Sequence, residues 1–342
     1  MRATQIRLAR RPHGEPGDDC FEVTHDEVPE PDEGQLLLRV VYLSLDPYMR
    51  GRMSEAKSYA EPVEVGDVMV GGTVCEVVSS RHPSYQPGDV VLSYSGWRTH
   101  ALSDGHGLRR LDPSVVPVST SLGVLGMPGF TAYAGLLAIG RPQPGETVVV
   151  AAATGPVGSA VGQIARVKSA RAVGIAGGPE KCRALLDEFG FDAAVDHRSD
   201  SFAEDLAAAV PDGIDVYFEN VGGHVASEVA RHYNVYARMP VCGLVADYNA
   251  TSRPEGPDRL PSYMRLVLTK SLTVRGFIQD EFTTSYGRDF VRDMSAWVAD
   301  GSVRYREDVV DGLENAPEAF RGLLAGRNFG KLLVRVGDDP TI

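Results

Sequence analysis

The 342-residue chain has only four cysteines, Cys20, Cys75, Cys182 and Cys242. No two form a Cys-x-x-Cys pair and none has a histidine at ligand spacing, which excludes a sequence-local zinc site and leaves all four as buried structural thiols. Long apolar runs are missing as well. No stretch approaches the roughly 20 apolar residues of a membrane span. The basic N-terminus, residues 1–11, has no apolar segment behind it and so lacks the form of a signal or transit peptide. Positive charge is in short supply: 34 Lys and Arg face 46 Asp and Glu, a formal net charge of −12. Such a field repels phosphate backbones and anionic lipid, so neither nucleic acid nor membrane is expected as a partner. The expectation is a cytoplasmic protein in which any anionic cofactor needs local positive groups.

What is present is an ordinary soluble α/β composition, 43% hydrophobic and 23% charged, with 37 Gly and 22 Pro for turns. The length exceeds the roughly 250–300 residues at which one core stops growing, so two domains are expected. Residues 35–43, 68–78 and 89–94 are β-branched or apolar runs separated by Pro29, Pro31, Pro62, Pro83 and Pro87 without helical periodicity between them, which predicts a compact β-barrel. After Gly126 the rhythm changes. Residues 130–139 read as a helix, 147–153 as a strand buried on both faces, 157–168 as an amphipathic helix, 171–176 as a strand, 179–189 as a helix and 193–196 as a short strand. Residues 215–219, 237–242 and 271–277 continue the alternation. This order predicts a doubly wound parallel sheet over residues 127–301. The tail (304–310, a helix over 316–326, then 330–336) matches the style of the first third, so the barrel is expected to comprise residues 1–126 and 302–342.

Directly after the first buried strand comes Ala153-Thr-Gly155-Pro156-Val157-Gly158, opening a helix. Gly155 lets the backbone approach a pyrophosphate, Gly158 permits close packing of helix on strand, and the helix N-terminus presents free N–H groups to the anion. Ala153 stands where the dinucleotide fingerprint has its first glycine, and the strand-turn-helix context offsets that departure. The next strand ends in Ala176-Gly177-Gly178, with no carboxylate for a ribose 2′-hydroxyl, and Lys181 opens the following helix within reach of a 2′-phosphate, with Arg183 close by. NADPH is therefore favoured over NADH.

A nicotinamide cofactor leaves zinc-assisted alcohol oxidation or metal-free reduction of an activated double bond. The metal decides. Alcohol chemistry needs about three Cys, His or Glu ligands, whereas residues 43–52 offer Asp46 and Tyr48 but no cysteine or histidine, and His82, His100 and His106 have no thiol partner at useful spacing. Enone reduction needs hydride at the β-carbon and a donor to the carbonyl oxygen, a role that hydroxyls fill. Tyr59 and Tyr248 stand in loop-like contexts and are the candidates.

Residues 42–53 (Tyr-Leu-Ser-Leu-Asp-Pro-Tyr-Met-Arg-Gly-Arg-Met), 125–133 (Leu-Gly-Met-Pro-Gly-Phe-Thr-Ala-Tyr), 219–223 (Glu-Asn-Val-Gly-Gly), 242–249 (Cys-Gly-Leu-Val-Ala-Asp-Tyr-Asn) and 328–331 (Asn-Phe-Gly-Lys) together resemble the leukotriene B4 dehydrogenase-like branch of the zinc-independent medium-chain dehydrogenase/reductases. That branch includes prostaglandin reductases, plant alkenal double-bond reductases and bacterial NADPH-dependent curcumin reductases. Residues 44–53, 151–158 and 312–317 are similar to the last group.

The resemblance implies an α/β fold with a GroES-like β-barrel substrate domain and a Rossmann domain, NADPH as cofactor, α,β-unsaturated carbonyl substrates and a homodimer. It matches Gly155, Pro156, Val157 and Gly158 to the pyrophosphate turn, Gly177 and Lys181 to the 2′-phosphate end, and Asn220 to a cofactor asparagine. Cys242, Gly243 and Tyr248 match the segment beside the nicotinamide. Phe277 and Ile278 fall in another cofactor-lining stretch, Met127 and Thr131 near the nicotinamide, and Asn328 on the returning tail. Tyr248 matches a tyrosine that assists enolate stabilisation, and Tyr59 a substrate-side tyrosine. His197 stands where mammalian relatives carry a tyrosine contacting the adenosine side. Two other readings are a quinone oxidoreductase of the same superfamily and a catalytically silent NADPH-binding regulatory protein.

Overall fold

The computed structural model describes residues 2–252 and 255–341. The chain divides into two compact units, one of residues 1–122, 307–328 and 332–342, the other of residues 123–306 and 329–331. The expected boundaries, 126/127 and 301/302, sit a few residues away for a packing reason. Val124 is buried in the core of the second unit, as is Val303, and the side-chain amide of Gln163 donates to the Arg304 carbonyl at 2.9 Å.

The first unit is built of strands. β1 (Arg2–Leu8) and β2 (Phe21–Glu27) form an antiparallel pair. β3 (Leu36–Ser44), α1 (Tyr48–Arg52), β4 (Thr73–Ser80), β5 (Val90–Ser93), β6 (His100–Ser103) and β7 (Arg109–Leu111) follow. The run read as one strand over 68–78 supplies only β4, because Gly71 and Gly72 interrupt it: a side chain at 71 would place its Cβ 2.8 Å from Leu43. Buried Leu43, Leu45, Met49, Met53 and Trp97 form the main core, with Trp97 stacked on Phe21 at 5.7 Å.

The second unit alternates. α2 (Met127–Ala134) runs into a π-helical turn over Gly135–Gly140, so the single helix read over 130–139 is two conformations. Then come β8 (Thr147–Ala151), α3 (Pro156–Val167), β9 (Arg171–Ala176), α4 (Pro179–Asp187), β10 (Ala193–Asp196), α5 (Phe202–Ala209), β11 (Ile214–Phe218), α6 (Gly223–Val229), β12 (Tyr233–Val241), α7 (Leu260–Lys270), β13 (Thr273–Gly276) and α8 (Thr283–Ala299). The sheet is parallel in the order β10-β9-β8-β11-β12-β13. The order reverses between β8 and β11, the place where such sheets open a ligand crevice. β8 shows why this strand lacks alternation: Val148 and Val150 feed one core with α2, α3 and α8, while Val149 and Ala151 feed another with α5 and α6. Each such buried valine contributes about 1.5–3 kcal/mol, which fixes the strand in the middle of the sheet.

The tail supplies β14 (Glu307–Asp311), α9 (Ala316–Leu324) and β15 (Lys331–Arg335). β15 lies antiparallel to β3, with Leu333 opposite Ser44 and Val334 opposite Leu43. The first unit's seven-stranded sheet thus takes its strands from both ends of the chain.

Candidate functional site

β8 ends in a tight turn. Ala152 takes a left-handed conformation at φ 51°, and the N–H of Ala153 donates to Ile175 of β9 at 3.0 Å. Ala153 fits in place of a glycine because its neighbour on β9 is bare: a Cβ at Gly174 would lie 2.9 Å from that of Ala153. Gly158 packs the first turn of α3 onto this turn, since a Cβ there would meet the Ala152 carbonyl oxygen at 2.4 Å. Gly155 is different. Its nearest neighbour to a built Cβ is the same oxygen at 3.3 Å, so the position is bare on its outer side rather than crowded. Pro156 is the first residue of α3 and has no N–H to lose, whereas the N–H groups of Val157 and Gly158 precede the first intrahelical donor, the Ser159 N–H bonded to the Gly155 carbonyl at 2.9 Å. A bare backbone with a positive helix end fits a pyrophosphate.

At the ends of β9 and β10, His197 donates its backbone N–H to Ala176 at 3.0 Å, and its Nε2 would stand 3.0 Å from a Cβ on Gly177. Its Nδ1 is buried with no hydrogen-bond partner. Burial, with help from His224 and Arg198, pushes its pKa down, so the ring is neutral at neutral pH. Lys181 is half-buried in the first turn of α4. The orphaned nitrogen, the bare Gly177 and the nearby lysine suit an adenosine with an anionic group on its ribose.

Beyond β11, Glu219 is 2% exposed and accepts from the Tyr217 hydroxyl at 3.0 Å and the N–H groups of Val221 and Gly222 at 2.6 and 2.9 Å. Its backbone carbonyl takes the N–H of Cys242 and Gly243. This residue, missed in the sequence reading, pins the Asn220 loop and the 242–243 segment to one strand end. Asn220 donates its side-chain amide to Ala151 at 2.9 Å and accepts Val245 N–H on its backbone oxygen. The Cys242 thiol is pushed up to about 12 by burial and by Glu219, so it is inert and its segment offers backbone. Tyr248 is half-buried, its hydroxyl 3.1 Å from where a Gly243 Cβ would be.

Phe277 belongs to the core, its ring against Phe218 and Phe282, so only its backbone is available to a ligand, while Ile278 is exposed. Met127 opens α2 and Thr131 follows one turn later, its hydroxyl donating to the Met127 carbonyl at 2.8 Å. The turn of residues 155–158, Gly177 with His197, Asn220, and Cys242 with Gly243 thus follow the carboxyl ends of β8, β9, β10, β11 and β12.

Tyr59 and Asn328 lie in the first unit. Tyr59 is 64% exposed, and Asn328 sits in the loop between α9 and β15. Tyr59 has a neighbour that the sequence reading passed over: Tyr48, which begins α1 and whose hydroxyl is pushed far up by burial and by Asp46, Tyr94 and Tyr59, with Arg52 opposing. Proline and glycine in residues 47–51 hid this short helix. Among the described residues, no group of three or more His, Cys, Asp or Glu could hold a metal ion, and no helix is long and apolar enough to cross a membrane.

A GroES-like unit completed by the C-terminal strand, carried in one chain with a Rossmann sheet whose switch point bears a bare glycine turn, defines a medium-chain dehydrogenase/reductase, and the chain belongs to that family. Residues 4–111 match the model described as the N-terminal domain of oxidoreductase, and residues 156–296 the one described as zinc-binding dehydrogenase. The chain is 57% identical over 336 residues to the NADPH-dependent curcumin reductase of Escherichia coli, covering 97% of this chain and 96% of the relative. It is 40% identical to prostaglandin reductase 1 of Oryctolagus cuniculus, over 97% and 93% of the two chains. The crystal structure of CurA in complex with NADPH from Vibrio vulnificus superposes with a TM-score of 0.95 at 53% identity, covering 98% of this chain and 100% of that one.

Proposed function

We propose that the chain uses NADPH to reduce the carbon–carbon double bond of α,β-unsaturated ketones and aldehydes, with hydride delivered to the β-carbon. The carrying observation is the bare turn at Gly155 and the start of α3, in a chain whose named relatives are NADPH-dependent curcumin reductase and prostaglandin reductase. When bound, the cofactor supplies the hydride. The chain's part is to bind, orient and donate. The N–H groups of Val157 and Gly158 hold the pyrophosphate and Lys181 the 2′-phosphate. The loops fixed by Glu219, with Asn220, Cys242, Gly243, Thr131 and Met127, orient the nicotinamide end, while Phe277 and Ile278 extend the lining. The hydroxyl of Tyr248 is the donor offered to negative charge on the substrate's carbonyl oxygen as the enolate develops.

The test is loss of absorbance at 340 nm with NADPH or NADH and a panel of 2-alkenals, enones including a diarylheptanoid, a quinone and a saturated aldehyde. Saturated carbonyl products from enones with NADPH are expected. Consumption with the quinone alone, or silence despite tight NADPH binding, would sink the reading.

The protein further acts as a homodimer. β13 is the edge of the parallel sheet with all four residues exposed, and α7 beside it buries none, leaving Leu260, Met264, Leu268 and Val274 in the open. An uncovered edge next to apolar side chains is a surface that a second copy protects. The four free cysteines suit a reducing, cytoplasmic setting.

A further inference from the structure

We infer that Arg198 is a second anchor for the cofactor's 2′-phosphate, set across the end of β9 from Lys181, and that it makes the site selective for NADPH over NADH. The inference rests on the NADPH reading above and names a residue for which the sequence carries no signal. β9 and β10 run parallel with Asp196 opposite Ala176, so the residues that follow both strands meet at one rim. There the Arg198 guanidinium lies along the bare backbone of Gly177: a Cβ at 177 would be 2.8 Å from Nε and 3.0 Å from Cζ. Any side chain at 177 would displace the guanidinium from the strand end where a doubly wound fold places the adenosine ribose.

The acid that could have made this an NADH site is already engaged. Asp196 closes β10, but its Oδ1 accepts the N–H of Gly178 at 2.8 Å and of Arg198 at 2.9 Å. Burial raises this carboxyl, and the N–H groups of Gly178 and Arg198 together with the Arg198 guanidinium more than offset it, so it stays ionised and turned into the loop. A carboxylate held this way shapes the turn that carries Arg198 instead of accepting a ribose 2′-hydroxyl. Arg198 itself is exposed, and among the described residues no carboxylate pairs with it. Arg166, Arg238 and Arg306 in the same unit each have an acid partner. A guanidinium presents a planar fork that matches phosphate oxygens, and its charge is not lost at any working pH.

The experiment is calorimetric binding of two cofactor fragments, adenosine 2′,5′-bisphosphate and 5′-AMP, to the full-length protein and to its Arg198→Gln, Arg198→Lys and Lys181→Gln variants. The wild type should prefer the bisphosphate. Arg198→Gln should cut that preference by about tenfold or more, with 5′-AMP binding and melting temperature unchanged, and Arg198→Lys should restore part of it. The salt dependence of bisphosphate binding should also become shallower in Arg198→Gln. A wild-type preference retained in Arg198→Gln but lost in Lys181→Gln would overturn the role of Arg198 and leave the cofactor reading standing. No preference in the wild type would overturn both.

Discussion

Tyr248 is the residue at which binding and chemistry separate. Its hydroxyl is assigned to charge that exists only as hydride leaves for the β-carbon, so removing it should raise the barrier without loosening the ground state. Tyr248→Phe is expected to lower kcat by about tenfold or more while the NADPH dissociation constant, read by fluorescence titration, stays within about twofold. Unchanged kcat would remove the hydroxyl from the mechanism. Glu219 carries the other residue-scale prediction. Burial pushes its carboxyl up, although the N–H groups of Val221 and Gly222 and the Tyr217 hydroxyl pull it down. The folded chain therefore holds this proton more tightly than the unfolded chain. Its contribution to stability is complete below the ordinary glutamate value and is lost as pH rises through the folded value. Glu219→Gln, whose amide cannot titrate, should flatten the urea midpoint over that window, and a wild-type slope in the variant would contradict the assignment. Gly155, Gly158, Lys181 and Asn220 could be picked out from motif and spacing. Arg198 and Glu219 could not, because what marks them is a contact across neighbouring strand ends, and that register is absent from a linear sequence.

At the scale of elements, the turn between β8 and α3 uses two glycines for different reasons, and the difference is testable. A methyl at 158 runs into the Ala152 carbonyl at 2.4 Å and the Ala153 Cα at 2.7 Å, backbone that cannot move cheaply. Gly158→Ala should destabilise the fold by about 1–3 kcal/mol, read as a lower urea midpoint. A methyl at 155 meets only one atom, at 3.3 Å. Gly155→Ala should keep its melting temperature yet bind NADPH more weakly, since the methyl occupies the face a pyrophosphate approaches. Equal effects of the two substitutions on stability would refute this division of labour. The same turn explains why the parallel sheet was legible: β8 and β9 are uninterrupted apolar runs buried on both faces, a pattern that few other elements leave. The β1–β2 pair was not seen, because its inward and outward residues do not alternate cleanly and its strands are seven residues each with charged side chains among them. α7 also left little signal, since none of its residues is fully buried and Tyr263, Leu266 and Val267 are only half-covered by the chain itself.

For the whole molecule, the question is what covers the β13 edge. An exposed strand with unpaired N–H and C=O groups invites pairing, and natural proteins blunt such edges with charge, proline or a covering element. Here Thr273, Val274, Arg275 and Gly276 lie open, and the helix next to them presents Leu260 at 61%, Met264 at 54% and Leu268 at 79% exposure. In a chain with a net charge of −12 that keeps most of its large apolar residues inside, so much apolar surface beside one strand edge calls for a partner. A second copy is the partner that needs no other gene product, and a two-fold axis lets the same edge serve both chains. The expected mass in analytical ultracentrifugation is therefore twice the 36.8 kDa of one chain. A Leu268→Glu, Val274→Lys double variant should sediment as a monomer without loss of secondary structure by far-UV circular dichroism, because neither residue is buried within its own chain. A wild type that sediments as one chain at micromolar concentration would show that this edge is left bare in solution.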